Sequence, residues 1–201
     1  MRFLFPILLL LTFPVAAGAV EAPSGQTRLD AGAILRGRFV EEHQANAAQN
    51  PFQSSGRFIV APARGLIWSI EKPFPTSTVV TPNAMVQDIG GMAVKLPARN
   101  LRHVYAMVGG ALAGDWSGLE QDFMITRGGS ARRWQMLLTP RPGKKATLPY
   151  ATITISGGRF VENIVMAKAD GSSDSFSFTD ETLSSAALTT AESKLFKEVS
   201  R

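Results

Sequence analysis

The chain has 201 residues, a formal net charge of +5 and no cysteine. The lack of Cys excludes disulfides, thiol catalysis and Cys-based metal sites. The basic residues are scattered, densest only at Arg132-Arg133 and Lys144-Lys145, which argues against a nucleic-acid footprint.

The first residues read as an export signal. Arg2 supplies the positive start, residues 3–13 are almost wholly apolar, and Ala17-Gly18-Ala19 fits the A-x-A cleavage pattern. The cut is expected between Ala19 and Val20, with 1–19 removed and 20–201 forming one domain, large enough to bury a full core. The apolar run, interrupted by Pro6 and Pro14, is too short for a spanning helix, which needs about 20 apolar residues.

Residues 20–26 read as a linker. Ser24 is placed to cap a short helix over 27–35, which Gly37 breaks, and 38–44 follows as a strand. Residues 45–53 are polar and loop-like. Short strands are then expected at 56–60, 66–70, 76–81 and 84–88, separated by turn signals at 62–65, Pro73/Pro75 and Pro82-Asn83.

The period then changes. Pro97 suits a helix start, and Leu101, Val104, Tyr105, Val108 and Leu112 fall on one face of an amphipathic helix whose end Gly109-Gly110 and Gly114 weaken. A short helix is expected within 116–122. Strands resume at 123–127 and 133–139 around a Gly128-Gly129-Ser130 turn, then at 149–156, 159–169 and 173–179, with turns at Gly157-Gly158 and Asp170-Gly171. Residues 189–198 read as a C-terminal helix. The plan is mainly β with α: nine to eleven antiparallel strands, with one helix inserted between two strand groups to cover a buried sheet face.

Little in the chain points to catalysis. There is no G-x-S-x-G elbow, P-loop or H-E-x-x-H motif. Asp115, Glu120 and Asp122 read as helix-capping and dipole partners, and His43 and His103 as residues at the solvent edge. No catalytic residue, metal site or cofactor is expected. The strand aromatics Phe39, Phe58, Trp68, Phe123 and Trp134 admit two readings, a packed core or the wall of a lipid-sized cavity. Met85, Met107, Met124, Met136 and Met166 would add adaptable packing in either case.

The order of several loose motifs carries a resemblance. Gly37-Arg38-Phe39-Val40-Glu41-Glu42-His43-Gln44 is followed by Gly56-Arg57-Phe58, then Pro62-Ala63-Arg64-Gly65-Leu66-Ile67-Trp68, then Lys72-Pro73. Further on come a helix, Gly114-Asp115, Phe123 and Trp134-Gln135-Met136-Leu137-Leu138-Thr139-Pro140. This resembles the LolA family of periplasmic lipoprotein carriers over most of the mature chain. The resemblance implies a curved, incomplete antiparallel β-barrel closed by a helical lid, in the periplasm, monomeric and without covalent chemistry. It implies an apolar interior that shields the acyl chains of a lipoprotein, or of another lipid such as a glycolipid or acylated pigment. An inner-membrane release complex would hand over the cargo and an outer-membrane acceptor would receive it. The cavity would be lined by the strand aromatics with Val60, Ile70, Met136 and Leu138, and by Leu101, Val104, Tyr105 and Val108 of the helix. In the family an Arg precedes the Pro of the first turn and latches the lid. Here Ala61 precedes Pro62, and Arg64 is the candidate for that role.

Overall fold

The computed structural model describes residues 25–26, 28–45, 50–96, 105–144 and 148–199. The expected leader and its expected cleavage site, together with Pro97, Leu101, His103 and Val104, lie outside these residues.

Eleven antiparallel strands form one open sheet in the order β6-β5-β4-β3-β2-β1-β11-β10-β9-β8-β7. They are β1 (Ile34–Gln44), β2 (Phe52–Ala61), β3 (Gly65–Lys72), β4 (Thr76–Val80), β5 (Met85–Ile89), β6 (Met92–Leu96), β7 (Phe123–Ser130), β8 (Arg133–Pro140), β9 (Tyr150–Gly157), β10 (Val161–Lys168) and β11 (Ser173–Ser184). Two meanders, β1–β6 and β7–β11, thus meet at the long β1–β11 pair, and the outer strands β6 and β7 are edges. The chain between those edges carries a π-helical turn, Tyr105–Gly109, running into α1 (Gly110–Ala113), and then α2 (Ser117–Asp122). A segment that links opposite edges of a curved sheet has to cross one of its faces. It crosses the concave one, where Ala111 and Leu112 are fully buried. The fold is therefore the expected incomplete barrel with an inserted helical cover.

Two hydrophobic clusters follow from the two sheet faces. The concave cluster draws on β1–β5 and β7–β11 together, including Phe39, Phe58, Trp134, Met136, Ile155 and Phe178. The convex cluster is local: Ala61, Ile67, Val79 and Ala84 lie beneath Phe196 and Val199 of α3 (Thr190–Val199). This explains why β3 and β4 bury consecutive residues, Leu66-Ile67 and Val79-Val80, while β8, covered on one face, alternates strictly.

Several expected boundaries move. The helix expected over 27–35 does not form across the described residues 28–35: residues 31–32 make a turn and β1 already begins at Ile34. Pairing decides this, because Leu35 is placed opposite both Val60 and Leu183. Gly37 does not break the chain but sits inside β1, opposite Phe58, where a Cβ would come within 2.6 Å of the ring. Gly56 in turn faces Phe39. The β7–β8 turn is Ala131-Arg132, not Gly128-Gly129-Ser130; Ser130 pairs with Arg133 and Gly129 with Trp134. The helical run passes through Gly109-Gly110 and ends at Gly114, which adopts the left-handed conformation with φ 68°. Strand β2 starts at Phe52, within the expected loop. Strand β6 had no expectation, although Gly90-Gly91, at φ 61° and 88°, makes the tight hairpin turn that leads into it.

Candidate functional site

The concave interior gathers most of the residues expected to line a cavity. Phe39, Phe58, Val60, Val108, Phe123, Trp134, Met136 and Leu138 are buried in one cluster, with Trp68 and Ile70 half-buried against it. Tyr105 opens the π-helical turn. On one side of the interior Phe39 stacks on Trp68 at 3.7 Å between centroids, Trp68 meets Phe176 edge-on at 5.8 Å, and Phe58 meets Phe178 at 5.5 Å. On the other side Trp116 packs edge-on against Trp134 at 6.0 Å. Such aromatic pairs add about 0.5–1.5 kcal/mol beyond their buried area. Met85, Met107, Met136 and Met166 join the cluster. Met124 does not: it is 45% exposed, because its neighbour Phe123 takes the concave face. Phe176, Phe178, Trp116, Ile153 and Ile155 complete the interior without having been singled out, although the alternation Phe176-Ser177-Phe178 in an expected strand marked one-sided burial.

The cover is fastened by the chain just ahead of β1. Gln26, only 3% exposed, donates from Nε2 to the carbonyl of Leu112 at 2.6 Å, and its Oε1 accepts from the Val161 amide at 2.8 Å. Leu29 N donates to Ala113 O at 2.8 Å. One strap therefore satisfies two C-terminal carbonyls of α1 and ties them to β10. Arg28 adds an exposed ion pair with Asp115 at 2.9 Å. Asp115 is held below the usual carboxylate range, chiefly by the Ser117 hydroxyl that donates to it. Strap, cover and sheet leave a cleft of about 320 Å³ bordered by Leu29, Met107, Ala113, Leu119 and Phe123, with Arg28 and Asp115 on its polar side. Asp115, Glu120 and Asp122 are dispersed in separate ion pairs, with Arg28, Arg127 and Lys144. Asp115 does bond the amide at the start of α2, as a capping group would. Arg64 is exposed on the β2–β3 turn, beside Thr81, Asn83 and Lys197, and its guanidinium makes no hydrogen bond or ion pair among the described residues.

A polar cluster occupies the concave face beyond the aromatic row. Glu41 and His43 continue the face of Phe39 along β1, and Asp174 continues that of Phe176 and Phe178 along β11. Asp174 receives His43 Nδ1 at 2.5 Å on one oxygen and Lys168 Nζ at 2.9 Å on the other. Glu41 accepts from Ser54 Oγ at 3.1 Å. Burial raises the Glu41 carboxyl above its usual value, with the Asp174 charge acting the same way and the Ser54 hydrogen bond opposing. Burial likewise raises Tyr150. At Asp174 burial pushes upward, but the hydrogen bonds from His43 and Lys168 prevail and hold the group low. Lys168 is raised by its bond to Asp174. Among the described residues there is no group of three or more side chains arranged to hold a metal ion. Nor is any helix there long and apolar enough to cross a membrane.

A family model described as "Outer membrane lipoprotein carrier protein LolA-like" matches residues 15–174. Among solved structures, the chain is similar to a LolA superfamily protein from Nitrosomonas europaea, at 10% identity and a TM-score of 0.46, covering 84% of this chain and 91% of that one. It is also similar to a chain of the MucA/MucB complex of Pseudomonas aeruginosa, at 16% identity and a TM-score of 0.49, covering 80% of this chain and 55% of that one. No curated protein sequence matches the chain.

Proposed function

The chain belongs to the LolA-like family of outer membrane lipoprotein carrier proteins, and from that premise we propose that it is an exported, periplasmic carrier. It would bind the acyl chains of a lipoprotein, or of another lipid, and shuttle them from the inner to the outer membrane as a monomer. The observation that carries this reading is the covered concave face: a sheet surface apolar except at one rim, closed by short helices instead of a second sheet. Short helices held by a few backbone and Gln26 hydrogen bonds can shift without unravelling the strand ladder. An acyl chain entering beneath them gains about 0.8 kcal/mol per buried CH₂. The methionines among the lining residues give the wall unbranched side chains able to re-pack around a flexible chain. Binding, hand-over and release need no bond to be made or broken, so the function proposed is carriage, not catalysis.

One observation favours a second reading, a partner-binding envelope module that carries nothing. The interior side chains fill one another's space, with Phe39, Phe58, Trp134 and Leu138 all nearly inaccessible. The test separates the two. Purified protein, stripped of lipid by solvent extraction, is titrated with a fluorescent fatty acid, and native mass spectrometry of the unstripped protein is run beside it. A carrier gives saturable binding and a retained lipid mass. Absence of both overturns carriage and leaves the partner-binding module.

A further inference from the structure

The rim of the barrel at the β1–β2, β3–β4 and β5–β6 ends is divided in character. On its β2–β6 side the concave face ends in exposed apolar side chains: Phe52 is 57% exposed, and Met92, paired with Ile89, is 71% exposed. On its β1–β11–β10–β9 side it ends in Glu41, His43, Asp174, Lys168 and Tyr150. The halves touch, because His43 pairs with Phe52 across β1 and β2. The aromatic floor of Phe39, Trp68 and Phe176 lies directly behind both.

We propose that the polar half of this rim is a head-group site for an uncharged, hydroxyl-bearing head group, glycosyl or glycerol, on a ligand whose acyl chain lies along the apolar half. The assignment rests on the acyl-carrier reading. Charge weighs against the alternatives. Lys168 and His43 are both engaged by the Asp174 carboxylate, one on each oxygen. Among the described residues of this cluster no cation is left unpaired for a phosphate or carboxylate, and an anion would also face Glu41. An ammonium would lie beside the Lys168 cation, and the carboxyl left to pair with it, Glu41, is one whose charged form burial disfavours. What remains is a mixture of hydrogen-bonding groups: the second Glu41 oxygen, which makes no hydrogen bond among the described residues, the Tyr150 hydroxyl, and the His43 ring edge turned away from Asp174. A hydroxyl, which donates and accepts at once, suits such a set. A sugar or glycerol carbon skeleton can also lie against the half-buried Trp68.

The test displaces a bound fluorescent fatty acid with ten-carbon ligands that differ only in head group, each below its critical micelle concentration. The ligands are decyl maltoside, 1-decanoylglycerol, decanoate, decylamine and decylphosphocholine. The expected result is that decyl maltoside or 1-decanoylglycerol displaces the probe at about tenfold lower concentration than the charged ligands, the worth of one or two hydrogen bonds. Which of the two is stronger identifies the source. The same ratio should fall toward one in Glu41→Gln and in Tyr150→Phe, both close in volume to the parent and both checked by thermal melt. If the probe binds but the charged ligands compete as well, or the preference survives both substitutions, the head-group site is overturned and carriage stands. If the probe does not bind at all, carriage is overturned and this site with it.

Discussion

The two faces of the sheet are both covered by helix, but in opposite styles. On the concave face the cover is short helical turns with almost no capping of their own, pressed onto a core that recruits ten of the eleven strands. Its carbonyls are satisfied by a remote strap, 86 residues away in sequence at Gln26. On the convex face α3 is a self-sufficient helix of 10 residues over a small patch of β2–β5. Thr189 and Glu192 form a reciprocal capping box, and Glu192 also grips Arg36 through two hydrogen bonds, at 3.0 and 2.7 Å. The concave side thus carries most of the buried core, beneath a cover held by a strap remote in sequence. The convex side is a local clamp, built from its own helix, cap and ion pair over a small patch of sheet.

The largest effect that would test this division is at Trp134. Its ring is 1% exposed and lies between two glycines, Gly129 on β7 and Gly157 on β9. Its Nε1 donates to the Gly158 carbonyl at 2.7 Å. Trp134→Ala should cost about 3–5 kcal/mol in urea unfolding, since neither glycine has a side chain to close the gap. Phe196→Ala on the convex face should cost less, because α3 can fray as a unit. Equal losses at the two positions would break the comparison.

Next in size is the strap. Gln26→Ala strands the Leu112 carbonyl and the Val161 amide, at about 1–3 kcal/mol for each buried group left unpaired. The signature is regional. Amide exchange should accelerate across 105–113 well before it does so in β1 or β11, and the fluorescent fatty acid should associate faster. Uniform acceleration over the whole sheet would mean that the strap supports the fold at large and not the cover.

These residues also show what was legible in the sequence. Strand alternation exposed Leu66, Trp68 and Ile70, and the 3.6-residue period exposed the cover through Val108 and Leu112. Glycine was misread at two of the three positions where it serves as a socket, Gly37 and Gly129, while Gly56 was placed correctly in a strand. Gly37 and Gly129 look like a breaker and a turn in one dimension, yet these two and Gly56 each lie beside an aromatic ring on the neighbouring strand, and only the register reveals that. The strap was illegible for a related reason. A Gln in a polar segment signals nothing until the chain returns, through α1 and β10, with two backbone groups for it to satisfy. The polar rim was half visible: His43 read as an edge residue, but Glu41, Asp174, Lys168 and Tyr150 come together only through the strand pairing.

The smallest effect lies in the clamp and is read by pH. Glu192 is held below its usual value of 4.5, first by the hydrogen bond from Arg36. A carboxyl lowered in the folded state adds stability that is present above its unfolded value and disappears as pH falls through its folded value. Glu192→Gln should therefore cost about 1–2 kcal/mol near neutral pH, as expected for losing a charge-assisted, mostly buried fork. The gap in melting temperature between Glu192→Gln and the parent should close as pH drops below 4.5. If the clamp is independent of the interior, fatty-acid affinity stays constant while that gap closes. If affinity falls with it, the two faces are coupled through β1, which carries Arg36 on the convex side and Phe39 on the concave one.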